Sequence, residues 1–414
     1  MNKNARLDYI YDHESDVSSY DRTFPVVFDT AKNAKLRDEN GEEYIDFFAG
    51  AGGLNYGHND DSVKETLQRE VGRDSIIHGL DMATVARHDF MKAFEEKILE
   101  PRGLDYKIQF TSPSGANAVE AALKLARQHT GRKQIVAFDH GYHGLSLGAL
   151  ATTSNPWFRE AAGTDLPDVD FLTYNDEKSL DQIKEINPAA IILEAIQGEG
   201  GVNVANDEWL QELRKVTEEN DILMIIDDIQ AGCGRSGQFF SFEQAGIKPD
   251  IVTLSKSLSG SGLPMSIVLN RPEVDETWKK AQHTGTFRGN GLAFSTATAV
   301  IDKFWGDSEK TAQFENEIKE KGEIVRNKLG QIALEHSDLG LTIKGRGMMN
   351  GLEFSDPADA EQVAKECFAN NLVIERAGPN DEVLKVMPPL TIEHEVLDEG
   401  MQIIANSVDT VGKK

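Results

Sequence analysis

Between residues 106 and 256 the chain alternates short apolar runs with stretches of helical periodicity. The runs are 106–112, 134–139, 169–174, 189–196, 222–228 and 250–256. Segment 115–131 reads as a helix with Ala118, Ala121, Ala122 and Leu125 on one face, and 206–220 as a helix between two of the runs. A run that is apolar on both faces must be covered on both, and intervening helices supply that cover. The pattern predicts an α/β fold around a mainly parallel sheet. Ahead of it, 35–47 reads as a hairpin turning at Asn40-Gly41, followed by helical patterns at 62–72 and 85–98. From about 308 a long charged helix leads into mixed short elements. The expected organisation is a large domain over 62–307 and a smaller α+β domain built from both termini, 1–61 and 308–414.

The net charge of −26, from 69 acidic and 43 basic residues, argues against nucleic acid or an anionic membrane as partner. The acidic residues are dispersed, as on a well-solvated surface, and such a surface also suits high salt. No apolar stretch approaches the ~18 residues a membrane helix needs, and the N-terminus has no apolar signal region. Two cysteines, Cys233 and Cys367, exclude a disulfide framework, so a cytoplasmic protein is expected.

Open parallel sheets bind ligands at the carboxyl ends of their strands. There the chain presents Ser114-Gly115-Ala116 opening a helix, Tyr142 in a glycine-containing loop, Glu199 in another, Asp227-Asp228 with Gln230, and Lys256. A small turn at a helix N-terminus can hold phosphate with backbone N–H groups and the helix dipole. A carboxylate can hold a protonated ring nitrogen, an aromatic can stack on a ring, and a desolvated lysine can form an imine. Phosphate, ring cation, ring face and imine together describe pyridoxal phosphate. The competing motifs fit less well. Gly232, Gly234 and Gly237 spell G-x-G-x-x-G, but no helical apolar face follows, so a tight loop is the simpler reading. Asp227-Asp228 has no phosphate-binding G-x-x-x-x-G-K-[ST] to accompany it. His140 and His143 are read as loop residues rather than metal ligands, and no metal is expected.

The stretch "IIDDIQAGCGRSGQFFSFEQAGIKPDIVTLSKSLSGSGLPM" resembles the signature of the class III, or ω-, aminotransferases of fold type I, and the resemblance runs along nearly the whole chain. It implies Lys256 at the Schiff-base position, Asp227 on the pyridine nitrogen and Gln230 near the phenolic oxygen. It also implies Ser114, Gly115 and Ala116 at the phosphate and Tyr142 on the ring face. "HTGTFRGN" resembles the segment that sends a threonine, here Thr286, to the phosphate across a dimer interface, which implies a homodimer or higher homo-oligomer. "GRGMMNGLEF" is similar to the family's C-terminal strand motif. Two departures stand out. Ala116-Asn117 replaces the usual hydroxyl residue and glutamate, and Lys385 stands where many relatives carry an arginine for a substrate carboxylate.

Three further stretches, "RTFPVVFDTAKNAKLRDENGEEYIDFFAGAGGLNYGHND", "SPSGANAVEAALKLAR" and "HTGTFRGN", are similar to the branch whose product feeds ectoine synthesis. That likeness implies glutamate as amino donor and aspartate 4-semialdehyde as acceptor. A siderophore-pathway branch with the same product, and the ornithine, acetylornithine and 4-aminobutyrate types, remain alternatives. So do a cofactor-binding regulator and a mutase or decarboxylase on the same fold. For substrate carboxylates the candidates are Lys385, with Glu199 as its switchable partner, and Arg288 or Arg159.

Overall fold

In the computed structural model, which describes residues 5–412, the apolar runs form one seven-stranded sheet. Its strands are β1 (Lys107–Phe110), β2 (Ile135–Phe138), β3 (Val169–Leu172), β4 (Ala190–Leu193), β5 (Leu223–Asp227), β6 (Ile251–Leu254) and β7 (Ile267–Asn270). The order is β1-β7-β6-β5-β4-β2-β3. Six strands run parallel; β7 is antiparallel to both neighbours, β6 and β1. β7 is not among the six apolar runs expected from the sequence.

Both faces of the sheet are buried, and alternate side chains serve different layers. Ile192, Ile225 and Ile251 pack with Ala118, Ala121, Ala122 and Leu125 of helix Gly115–Thr130, the face expected from the sequence. Ile191, Met224 and Val252 belong to the opposite layer with Trp209, Leu210 and Leu213 of helix Asp207–Glu219. Helix Gly115–Thr130 starts where Ser114 Oγ accepts the N–H of Asn117 and stops at Gly131, whose φ of +71° ends the helical run.

Two smaller sheets flank this body. Lys35–Asp38 and Glu43–Asp46 form the expected hairpin, its turn held by Asp38 Oδ1 accepting the N–H groups of Asn40 and Glu42. Strand Leu372–Val373 joins it in parallel, Leu372 opposite Ile45. The other sheet comprises Thr342–Arg346, Met349–Glu353, Val383–Val386 and Glu375–Ala377, beside the long helix Ser308–Glu335. The glycine cluster after β5 forms turns with no helix. Arg235 in its middle is fully buried and donates to Met348 O, Pro388 O and Asn55 Oδ1. The loop therefore locks the main sheet to the C-terminal strands, a structural use for a dinucleotide-like spacing. Among the described residues, no helix is long and apolar enough to cross a membrane.

Candidate active site

The carboxyl ends of β2, β4, β5 and β6 and the start of helix Gly115–Thr130 converge on a cavity of about 310 Å³. Gly115, Ala116, Tyr142, Glu199, Asp227, Gln230 and Lys256 all line it. Thr286 and Arg288 do not line it within one chain. Thr286 is exposed, and Arg288 pairs with Asp81 of the segment that precedes helix Val85–Phe94. Arg159 is also elsewhere, its Nη1 donating to the carbonyls of Leu150, Ala151 and Thr153.

Lys256 opens a short 3₁₀ turn after β6 with φ of +48°, the left-handed region that side chains avoid at a cost of about 1–2 kcal/mol. Its neighbours hold it there. Ser255 Oγ donates to Met265 O, while Ser257 Oγ donates to Gly52 O and accepts the N–H of Asn55. Burial pushes the Lys256 ammonium below the usual lysine range; Glu199 opposes this and Lys385 reinforces it. A lysine so placed can be a neutral amine at the cavity wall.

Asp227 ends β5 with both oxygens engaged. Oδ1 accepts from Thr253 Oγ1 at 3.0 Å and from Ile229 N at 3.2 Å, and Oδ2 lies 2.7 Å from His143 Nδ1. This corrects the expectation for His143. Its carboxylate partner exists, but lies 84 residues away in sequence. Burial alone would lower the His143 pKa, yet the hydrogen bond and charge of Asp227 outweigh it and the net direction is upward. Glu194, at the end of β4, is the other group that sequence reasoning missed. Its Oε1 accepts Tyr142 N and its Oε2 accepts Gly198 N, so it pins the loops that carry Tyr142 and Glu199. Burial raises its pKa to about 7, against the lowering influence of His143. The signal was a carboxylate inside the apolar run "AAIILEAI".

The residues present fit pyridoxal phosphate. The N–H groups of Gly115 and Ala116 lie in the first helical turn, without intrahelical acceptors, under the cap residue Ser114. A Cβ on Gly115 would come within 3.0 Å of the side chain of Ile229, which lines the same cavity and would have to shift. Tyr142 and Ile229 offer flat and apolar surfaces, Asp227 a buried anion, and Lys256 an amine. The hydroxyl missing at Ala116 leaves backbone donors to do the holding.

Beyond Lys256 lies a second charged group. Glu199 Oε1 accepts from Lys385 Nζ at 2.7 Å and from Gln230 Nε2 at 2.9 Å. Burial raises the Glu199 pKa, but the ammonium of Lys385 outweighs it and brings it to about 2. Gln230 also donates to Ala51 O, and any side chain at Gly198 would strike Gln230 Oε1. Lys385 is fully buried, and its Nζ is 2.8 Å from Glu375 Oε1 as well. Tyr20 OH donates to Glu375 Oε2 at 3.0 Å.

With this geometry in hand, likeness to known proteins is informative. A family model described as class-III aminotransferase matches residues 17–408. The diaminobutyrate–2-oxoglutarate transaminase of Bordetella parapertussis is 50% identical over 410 residues, covering 95% of this chain and 93% of its own. The protein of the same name from Halomonas elongata is 50% identical over 411 residues, with 95% and 96% covered. The solved ornithine aminotransferase of Toxoplasma gondii, described as having PLP at partial occupancy in its active site, matches with a TM-score of 0.87 at 26% identity, covering 100% of this chain and 97% of that one.

Proposed function

The chain belongs to the class-III aminotransferase family, and from that membership we infer that it moves the amino group of L-glutamate to L-aspartate 4-semialdehyde, giving L-2,4-diaminobutyrate and 2-oxoglutarate. The observation that carries this reading is near-full-length identity of about one half to transaminases named for that product. The cavity at the strand ends supports the same chemistry. Ectoine synthesis, the use expected from the sequence, fits the product.

Pyridoxal phosphate, when bound, supplies an aldehyde that takes up an amino group and a protonated ring that accepts electrons. Ser114, Gly115 and Ala116 would hold its phosphate, and Tyr142 and Ile229 would cover its ring. Asp227, oriented by His143, would keep the ring nitrogen protonated. Gln230 would contact the ring's phenolic oxygen. Lys256, its pKa lowered by burial, would be the group that takes the proton from Cα of glutamate and returns it on the cofactor side of the same nitrogen. Water would supply the keto oxygen as glutamate leaves as 2-oxoglutarate. In the second half-reaction Lys256 would move a proton in the opposite sense, the aldehyde oxygen would leave as water, and the semialdehyde would gain an amino group on its former aldehyde carbon.

The test is a comparison of acceptors at equal concentration: the semialdehydes of aspartate, glutamate and succinate, and the aldehyde of acetylornithine. The four-carbon amino-aldehyde is expected to lead in kcat/KM by about tenfold or more, because one methylene discriminates by ~10–200-fold. A lead for any other acceptor assigns the chain to a different branch of the family.

A homodimer or larger homo-oligomer belongs to this reading, with the partner subunit's Thr286 completing the phosphate site. It is supported by an exposed apolar patch of Ile76, Ile77, Met82, Val85 and Phe287. Gly79 N donating to Gly289 O and the bridge from His78 to Asn290 tie its two segments together. Sedimentation should give at least a dimer, and a fully active monomer contradicts the assignment. Two free buried thiols, Cys233 and Cys367, suit the cytoplasm as the compartment.

A further inference from the structure

Lys385 is a buried cation behind Glu199, which lines the substrate cavity, and it is shared by two carboxylates. Glu199 holds it through an aligned hydrogen bond at 2.7 Å. Glu375 meets it at 2.8 Å from behind, as an ion contact rather than an aligned hydrogen bond. Glu375 is only 5% exposed, and its other oxygen accepts from Tyr20 OH. Glu199 lines the cavity; Glu375 and Lys385 do not. Ionised, the three groups sum to one negative charge, although the wall must receive a carboxylate.

That balance matters for a ping-pong reaction. Glutamate brings two carboxylates, while the semialdehyde brings one carboxylate and an ammonium. A lone Lys–Glu pair would change between closed and open, and an open lysine facing the semialdehyde would be an unpaired buried charge. With Glu375 behind it, Lys385 keeps a counter-charge whether or not Glu199 is in contact. The buried ammonium is never bare, and its attraction for an incoming carboxylate is reduced in advance.

We propose that Glu375, oriented by Tyr20, is a specificity-determining residue that weakens the hold of Lys385 on the second carboxylate of glutamate and favours the ammonium-bearing acceptor. The inference rests on the proposed glutamate–semialdehyde reaction, and it concerns this chain's own residues. It also revises the role of Glu199. Replacing Glu199 alone leaves Lys385 paired, so loss of that carboxylate does not by itself strand the cation.

The test uses the holoenzyme and glutarate, a dicarboxylate with no amino group to react. In Glu375→Gln, glutarate should bind by calorimetry about fivefold more tightly or better, the effect of removing one like charge near the site. The half-reactions should then diverge. KM for glutamate falls and KM for aspartate semialdehyde rises, and both move more than the corresponding kcat values. A purely structural role gives equal losses in both half-reactions and no gain for glutarate, and an unchanged or weakened glutarate affinity in a folded variant overturns the proposal. If thermal denaturation shows that Glu375→Gln does not fold, Tyr20→Phe decides instead. It removes only the hydroxyl that orients Glu375 and, with Lys385, opposes the upward push of burial on its pKa, and it should tighten glutarate in the same direction by less; no tightening overturns the idea. A wild-type enzyme that binds glutarate but does not deaminate glutamate removes the proposed function, while the glutarate comparison still reads Glu375.

Discussion

Lys256→Ala is expected to lower turnover by about four orders of magnitude, the upper end of what a positioned acid–base group contributes. The side chain has two uses that no neighbour can assume. In the proposed mechanism it would carry the cofactor and shuttle the proton at the reacting carbon. Glu199 and Glu194 are carboxylates with other commitments, and Lys385 is tied between Glu199 and Glu375. Fold should survive, because the amine itself bears no packing. The left-handed backbone at Lys256 is held by Ser255 and Ser257, and alanine tolerates it no worse than lysine. Two measurements check the claim. Borohydride treatment and peptide mass spectrometry should find a cofactor-sized increment on the wild-type Lys256 peptide and none in the variant. Steady-state assay should find the rate loss; turnover near the wild-type rate removes Lys256 from the mechanism.

Asp227→Asn should keep the cofactor and lose most of the rate. An opposite charge within contact distance moves a pKa by about 1–3 units, so removing it lowers the protonated fraction of the ring nitrogen by ~10–10³-fold at neutral pH. kcat should fall by about the same factor. Asparagine preserves the size of the side chain and can still accept from Thr253 Oγ1 and Ile229 N, so the end of β5 stays in place. His143 loses its counter-charge in the same step and its pKa should fall, since burial is then opposed only by the charge of Glu194. Absorbance of the bound cofactor against pH separates a binding defect from an electronic one. An unchanged kcat with full cofactor content excludes Asp227 as the ring's counter-ion.

The sequence made some of this architecture legible and hid the rest for physical reasons. Runs buried on both faces announced β1 to β6, and residues just beyond them, Lys256 and Asp227 above all, were placed by the rule that ligands meet strand ends. β7 was not among the apolar runs read from the sequence, and only hydrogen-bond register reveals that it opposes its neighbours. The His143–Asp227 contact spans 84 residues and Tyr20–Glu375 spans 355, so neither has a local signature. Glu375 itself lies in a short strand whose register with Val383–Val386 sets it directly opposite Lys385. Register of that kind depends on both strands at once and cannot be read from either.

The pairing of Leu372 with Ile45 also sets a timetable for making the protein. Its partners are 327 residues apart, and synthesis proceeds from the N-terminus at about 5–20 residues per second, so the hairpin strand carrying Ile45 waits roughly 15–65 s for its neighbour. During that interval the seven-stranded body can form from residues already made, while the outer edge of the hairpin still presents unpaired backbone and half of an apolar cluster. On the ribosome, that edge is where a chaperone would be needed and where misassembly between nascent chains would begin.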